Sequence, residues 1–214
     1  MNETASISWS RLMRWRTECW QKFGSVHDMP VISPHKELPG LLHSGARVLD
    51  VGAGAHKPFK AAVTRVTEAY FCLDADPDGI FDFRSFDEVP DDLFFDLAIA
   101  NQVLEHLHVD EAFSMVQSVY NRLVRGGAFL ATVPNAAHPV RQWDCTHLTP
   151  WPANDLYSLL RSAGFEIVTM SRYNKTPLTR NPLTRWVILT VCREFRIDWC
   201  DSIMAVAVKE SGEE

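Results

Sequence analysis

What this sequence lacks closes off several classes of function. It has no Cys-x-x-Cys pair, and its cysteines number five, an odd count. A disulfide framework and a cysteine zinc site are therefore set aside in favour of reduced thiols, several of them buried. No apolar run approaches the roughly 20 residues of a membrane helix; uninterrupted stretches such as Trp186–Leu189 are short. Arg11, Arg14 and Arg16 stand among tryptophans with no apolar segment behind them, so no signal peptide is expected and a cytoplasmic location is. Positive charge is not in excess: 21 Lys and Arg against 27 Asp and Glu leave a formal net charge of −6. That argues against a general nucleic-acid binder, which needs a basic face. Internal repeats are absent too. What remains is ordinary for a globular protein: 214 residues, 46% hydrophobic and 22% charged, enough for one domain with a sizeable core.

The chain divides near residue 45. Before it, Ile7, Leu12, Trp15 and Cys19 recur at near-helical spacing and predict one amphipathic helix; Pro30, Pro34, Pro39 and Gly40 predict loop after it. This stretch, 1–45, is read as a helical extension, 46–210 as the main domain and 211–214 as a tail. Within the main domain, apolar runs at Arg47–Val51, Tyr70–Asp74, Ile80–Phe83 (weak), Phe94–Ala100, Gly127–Val133, Phe165–Met170 and Ser202–Val208 read as seven strands. Pro58 is placed to open a short helix. Phe113, Val116, Val119, Tyr120, Leu123 and Val124 share a helical face, with Asp110 as its cap and Gly126 as its end. Leu156, Leu159, Leu160 and Ala163 mark another helix, closed by Gly164. Strands alternating with helices imply a mostly parallel sheet covered on both faces. The stretch 172–200 reads as an insertion with a helix around Leu183–Cys192.

In such a sheet, ligands bind beyond the carboxyl ends of the strands. The first strand runs into Asp50-Val-Gly52-Ala-Gly54-Ala-His56. The glycines allow a tight turn and close approach to a ligand, but Gly-x-Gly alone is a weak signal. A dinucleotide fingerprint would place a third glycine at position 57, where Lys57 stands. The carboxylate of Asp50 directly before the turn suits a ligand carrying an ammonium and opposes a polyphosphate. Asp74 ends the second strand 24 positions after Asp50, near the spacing at which an acid accepts hydrogen bonds from ribose hydroxyls. Its alternative role is to form the turn before Asp76-Pro77.

Val48-Leu-Asp-Val-Gly-Ala-Gly54, Leu73-Asp-Ala-Asp76, Phe95-Asp-Leu-Ala-Ile-Ala-Asn-Gln-Val-Leu-Glu-His-Leu107 and Leu123-Val-Arg-Gly-Gly-Ala-Phe-Leu-Ala-Thr-Val-Pro-Asn135 follow one another in order. They resemble the successive motifs of class I S-adenosylmethionine-dependent methyltransferases. The Val-Leu-Glu-His and Val-Pro-Asn segments, with Asp144-Cys-Thr-His147-Leu-Thr-Pro and Leu159-Leu-Arg-Ser-Ala-Gly-Phe165, resemble the branch acting on quinones, sugars and small molecules. The resemblance covers about Arg47 to Phe165 and the final strand. It implies a Rossmann-like α/β fold and S-adenosylmethionine as methyl donor. By the same resemblance, Asp50, Gly52 and Gly54 border the donor's methionine part, Asp74 takes the ribose hydroxyls, and Ala75 lies beside the adenine. Asp82 and Phe83 correspond to the adenine contacts, and Asn101 and Gln102 lie near the methionine moiety or the methyl. The sequence departs from the family at His56, where a third loop glycine is usual.

Transfer from a sulfonium needs alignment of acceptor, methyl and sulfur, and at oxygen also removal of a proton. His147, His106 and Asp144 are the candidate bases. Each histidine also has a structural reading, and neither reading is excluded. His108 and His138 carry no further signal. Asp144 and His147 lack a third ligand at matching spacing, so no metal is expected.

The resemblance implies that the helix around Trp9, Trp15 and Trp20 covers the donor pocket; packing on the sheet's edge is the alternative. The insertion carries Arg172, Lys175, Arg180, Arg185, Arg193 and Arg196 with Tyr173 and Trp186. That composition suits an anionic or glycan acceptor or a solvated basic face, and Trp186–Leu189 suits a homodimer contact. Asn101-Gln-Val-Leu is unlike the Pro-Pro-Tyr segment of methyltransferases acting on base or glutamine nitrogens. The expected activity is methyl transfer to a small-molecule or glycan acceptor at oxygen. The competing readings are a non-catalytic protein that keeps the fold, permitted by His56, and a nicotinamide oxidoreductase, opposed by Asp50 and Lys57.

Overall fold

The computed structural model describes residues 8–139, 144–174 and 181–210. Ile7, Lys175, Arg180 and the tail 211–214 lie outside them. Six strands form one sheet: β1 (Val48–Val51), β2 (Tyr70–Leu73), β3 (Phe95–Asn101), β4 (Leu123–Pro134), β5 (Glu166–Tyr173) and β6 (Ser202–Val208). Their order is β2-β1-β3-β4-β6-β5. The first three pairings are parallel and the last two antiparallel, because β6 enters between β4 and β5 and runs against both. The expected seven-stranded, mostly parallel sheet is thus a six-stranded mixed one. The segment read as a weak third strand adds only a single parallel bridge, Leu73 to Phe83. The rest of the segment, Ile80–Asp82, forms no strand.

Alternation along the strands feeds two cores. Leu49, Val51, Ala98, Ala100, Phe129 and Ala131 pack with side chains of α4 (Val109–Arg122) and α5 (Ala153–Ser162). Val48, Leu97, Ile99 and Leu130 pack with Leu38 of α2 (Pro34–Leu41) and Val63 of α3 (Lys60–Val63). The proline-rich segment expected as loop is therefore a helix. Pro34 occupies its first turn, where no N–H is needed. The bond that Pro39 cannot make is offset by burial of Leu38.

Two boundaries also differ from the pattern. His108, not Asp110, precedes α4, with Glu111 Oε2 accepting from the His108 N–H at 2.9 Å in a capping box. The helix ends at Arg122, and Leu123 and Val124 already belong to β4, in which Gly126 adopts a φ of 78°. Helix α1 (Trp9–Phe23) matches its spacing and packs on α5 at the far side of the sheet from β2. Tyr157 donates to Glu18 at 2.6 Å, Arg161 pairs with Glu18 at 3.1 Å, and Arg16 pairs with Asp155. The helix thus lies against the β4-β6-β5 half. Helix α6 (Pro182–Glu194) forms within the insertion, capped by the Asn181 side chain, and leaves Leu183, Trp186, Val187 and Phe195 exposed.

Candidate active site

The carboxyl ends of β1, β2, β3 and β4 share one rim. At the end of β1 the chain turns on Gly52, with φ 64°, while its N–H donates to the Leu73 carbonyl at 2.8 Å. A Cβ here would sit 2.4 Å from Val103 Cγ2, so the turn requires glycine twice, for torsion and for space. Gly54, with φ 57°, faces open space. His56 points outward, exposed, and its backbone is not among the positive-φ residues. A glycine is not required there, and His56 does not fill the loop. Lys57 has a φ of 42° and its ammonium donates to the Ile80 carbonyl at 2.5 Å.

Carboxylates ring this loop. Asp50 is 1% exposed and accepts from the Tyr70 hydroxyl at 2.6 Å. Burial pushes its pKa up to about 6, opposed by the tyrosine bond, raised further by Asp74 and eased by Lys57. Asp74 Oδ2 accepts from the Gly54 N–H at 2.8 Å, and Oδ1 from the Asp76 N–H at 2.9 Å. It therefore forms the turn and also latches the glycine loop; each oxygen keeps a lone pair. Ala75 beside it is exposed. Asp82 Oδ2 accepts from the Cys72 N–H at 2.8 Å and lies 3.1 Å from its thiol. Phe83 stacks on Phe71 with centroids 6.2 Å apart. These two residues close the edge of β2 where a strand was expected.

At the end of β3, Asn101 and Gln102 converge on Thr132 of β4. The Thr132 hydroxyl donates to Asn101 Oδ1 at 2.9 Å, and the Gln102 amide reaches it at 3.2 Å. The Gln102 N–H donates to the Thr132 carbonyl at 3.0 Å, with a φ of 58°. A non-glycine residue held in this region marks a constrained position.

Beyond Gln102 a short turn, Leu104–His106, meets the segment after β4. The Leu148 and Thr149 N–H groups donate to the Glu105 carbonyl at 2.7 and 3.1 Å. Thr149 Oγ1 donates to the Leu107 carbonyl at 2.7 Å and Trp151 Nε1 to the Leu104 carbonyl at 3.0 Å. This brings His106 and His147 together, ring centroids 5.0 Å apart, with Asp144 Oδ2 3.7 Å from His147 Nε2. The three residues proposed from sequence as bases thus form one group. The sequence did not single out Glu105, which joins them. Its side chain is 2% exposed, and burial, then the Asp144 charge, push its carboxyl up to about 7 against a hydrogen bond from its own backbone. The third neighbour that sequence spacing did not offer to Asp144 and His147 is supplied by the Leu104–His106 turn.

A cavity of about 1180 Å³ opens past the end of β4, between α1, α5 and the end of α6; Met13, Trp20, His27, Asn135, Asn154 and Arg193 are among its walls. Asn135 is fixed from behind: its Nδ2 donates to Asp198 Oδ2 at 2.8 Å, and Arg172 donates to Asp198 Oδ1 at 2.9 Å. Arg172 also reaches the carbonyls of Met29 and His27 at 3.2 and 2.9 Å. Arg172, grouped by composition with the basic insertion, is therefore a buried brace, while Arg193 and Arg196 do line the cavity.

Residues 25–170 match the sequence profile of a family described as a methyltransferase domain. No curated protein matches the chain. Among solved structures, a chain from the Haloferax volcanii complex of the Trm112 methyltransferase activator and a proposed methyltransferase is 15% identical, with TM-score 0.61, covering 96% of this chain and 98% of that one. An S-adenosylmethionine-dependent methyltransferase from Archaeoglobus fulgidus is 14% identical, with TM-score 0.59 and coverage of 92% and 94%. The N-methyltransferase NodS from Bradyrhizobium japonicum is 13% identical, with TM-score 0.57 and coverage of 83% and 94%. These distant likenesses concern the fold.

Proposed function

From the premise that the chain belongs to the methyltransferase-domain family, and is thus an S-adenosylmethionine-dependent methyltransferase, we propose that it methylates a small-molecule or glycan acceptor at oxygen. The residues present fit the donor. Gly54 faces open space, Gly52 lets the loop pass over Val103, and Asp50 and Asp74 supply negative charge and acceptors suited to an ammonium and to ribose hydroxyls. When bound, S-adenosylmethionine supplies a methyl group already activated by its sulfonium.

In this reading Asp74 holds the ribose end, Asp50 the ammonium end by its field, and Asn101 and Gln102 flank the methyl. Asp82 and Phe83 support the adenine side from the edge of β2, and Ala75 borders it. The cavity at the end of β4 receives the acceptor. It lies two strands from β1, about 10 Å across the sheet at the usual strand spacing. Its arginines suit anionic or hydroxyl-rich groups. Alignment of acceptor oxygen, methyl and sulfur would supply roughly 7–11 kcal/mol of barrier lowering. As the C–O bond forms and the C–S bond breaks, the acceptor's proton leaves toward the His106–His147–Asp144 group.

The observation that carries this reading is that group itself, assembled just beyond the carboxyl end of β3, the strand that lies between β1 and β4. The exposed apolar face of α6 suits packing of a second copy, and the sedimentation coefficient tests it. An acceptor screen with labelled donor, run in parallel on phenols, sugars and primary amines, tests the proposal. Label transferred to hydroxyl compounds supports it. Transfer to amines alone, the chemistry named for NodS, overturns the oxygen reading. Donor binding without transfer to any acceptor would favour a non-catalytic role.

A further inference from the structure

We propose that Glu105, His106 and His147 form a binding site for one divalent first-row transition ion. The side-chain ligand atoms of these three residues all lie within 4.8 Å of one another. Ligands about 2.0–2.2 Å from a single ion stand roughly 3–4 Å apart, so small side-chain rotations close the set.

Three independent features point to a cation. The Glu105 carboxylate is buried, and among the described residues neither of its oxygens has a hydrogen-bond partner outside Glu105 itself. A buried carboxylate in that state is costly unless a cation compensates it. His106 Nδ1 lies 3.1 Å from the Thr146 carbonyl. Since a carbonyl only accepts, Nδ1 carries the proton there and Nε2 presents its lone pair. Metal-ligating histidines are commonly held this way, by a backbone carbonyl on the other ring nitrogen. Finally, the two chain segments are preassembled by the four hydrogen bonds from Leu148, Thr149 and Trp151 described above. Little ordering cost therefore remains for the ion to meet.

Two imidazoles and one carboxylate suit zinc, iron(II), cobalt or manganese better than calcium or magnesium, which prefer all-oxygen sites. Asp144 stands at the mouth, its Oδ1 bound to the Thr146 N–H and hydroxyl and its Oδ2 toward His147. Three protein ligands leave coordination positions for water or an acceptor oxygen. That last role rests on the methyl-transfer reading: a bound ion lowers the pKa of an acceptor hydroxyl, and with His106 and His147 engaged as ligands the proton leaves past Asp144, the third member of that group, to solvent.

The test is titration of chelator-stripped protein with cobalt(II), following its visible d–d absorbance, in wild type and in Glu105→Gln, His106→Ala and His147→Ala. One equivalent should bind in wild type and at least tenfold more weakly in each variant, with S-adenosylhomocysteine affinity unchanged as the control for folding. In the wild type, where no variant need fold, cobalt(II) should broaden the ring NMR signals of His106 and His147 and spare those of His27 and His43. Absent saturation, binding indifferent to all three substitutions, or broadening of other histidines instead would each overturn the site. Cobalt binding by a protein that does not take the donor would support the site and sink the methyl-transfer reading. Donor binding without cobalt binding would overturn the site alone.

Discussion

The backbone N–H of Gly54 lies 2.8 Å from Oδ2 of Asp74, so the carboxylate ending β2 holds the glycine loop that ends β1. One side chain thereby shapes the loop and offers its remaining lone pairs outward. Asp74→Ala removes both. With hydrogen bonds to a charged group contributing about 1.5–3 kcal/mol each, donor affinity should fall roughly 10- to 100-fold. Isothermal calorimetry with S-adenosylhomocysteine measures it, and an affinity within twofold of wild type would remove Asp74 from the donor site.

Gly52→Ala should be worse tolerated than an ordinary loop substitution. It adds a Cβ at a φ of 64° and drives it to 2.4 Å from Val103. The expected loss is about 1–3 kcal/mol of stability, read as a lower urea midpoint, together with loss of donor binding. Adding Val103→Ala should recover the steric part and leave the torsional part. No recovery at all would mean that torsion alone governs the position.

Asp50 predicts a pH dependence of stability. Its pKa is near 3.9 in an unfolded chain and is pushed up to about 6 in the fold by burial. Below pH 4 both states hold the proton. Between pH 4 and 6 only the folded state does, so stability falls as pH rises through that window and levels off above it. The full drop is about 3 kcal/mol. Asp50→Asn keeps an acceptor for the Tyr70 hydroxyl and abolishes the drop. Urea unfolding at pH 4 and 7.5 should show the variant gaining on wild type at the higher pH, on the order of 1–3 kcal/mol, while its donor affinity declines. Parallel pH profiles would contradict the assignment.

The buried pair of Arg172 and Asp198 should matter more than any surface ion pair. Arg172→Met leaves Asp198 buried with a lost partner, which costs about 3–5 kcal/mol. It also frees the carbonyls of His27 and Met29. Replacing both, Arg172→Met with Asp198→Asn, should cost less than Arg172→Met alone, because no unpaired charge remains. Thermal unfolding of the three proteins decides this.

Much of this arrangement was legible in the sequence where local pattern governs. Each of the six strands that form coincides with an apolar run, α1, α4 and α5 follow their periodicity, and α6 forms where the insertion was read to hold a helix. The glycine turn after β1 was legible as well, because such a turn after a buried strand carries its own signal. What was not legible depends on burial or on distant partners. Helix α2 contradicts its prolines because Leu38 finds a core. The weak strand at Ile80–Phe83 fails because Asp82 turns its carboxylate back to the Cys72 N–H and the edge closes with one bridge. An arginine within the apolar strand Glu166–Tyr173 was the available hint of the Arg172–Asp198 brace, yet its partner lies 26 residues away. Glu105 adjoins His106 in sequence but reads there as a polar residue of a turn. Its meeting with His147 follows from hydrogen bonds between two loops that no spacing rule announces.

The most direct test of the account is calorimetric titration of the wild-type protein with S-adenosylmethionine and S-adenosylhomocysteine, with NAD as control. The account predicts saturable one-to-one binding of the first two and none of NAD, whose pyrophosphate the carboxylates around Gly52 and Gly54 repel. Binding of NAD, or of none of the three, would contradict it.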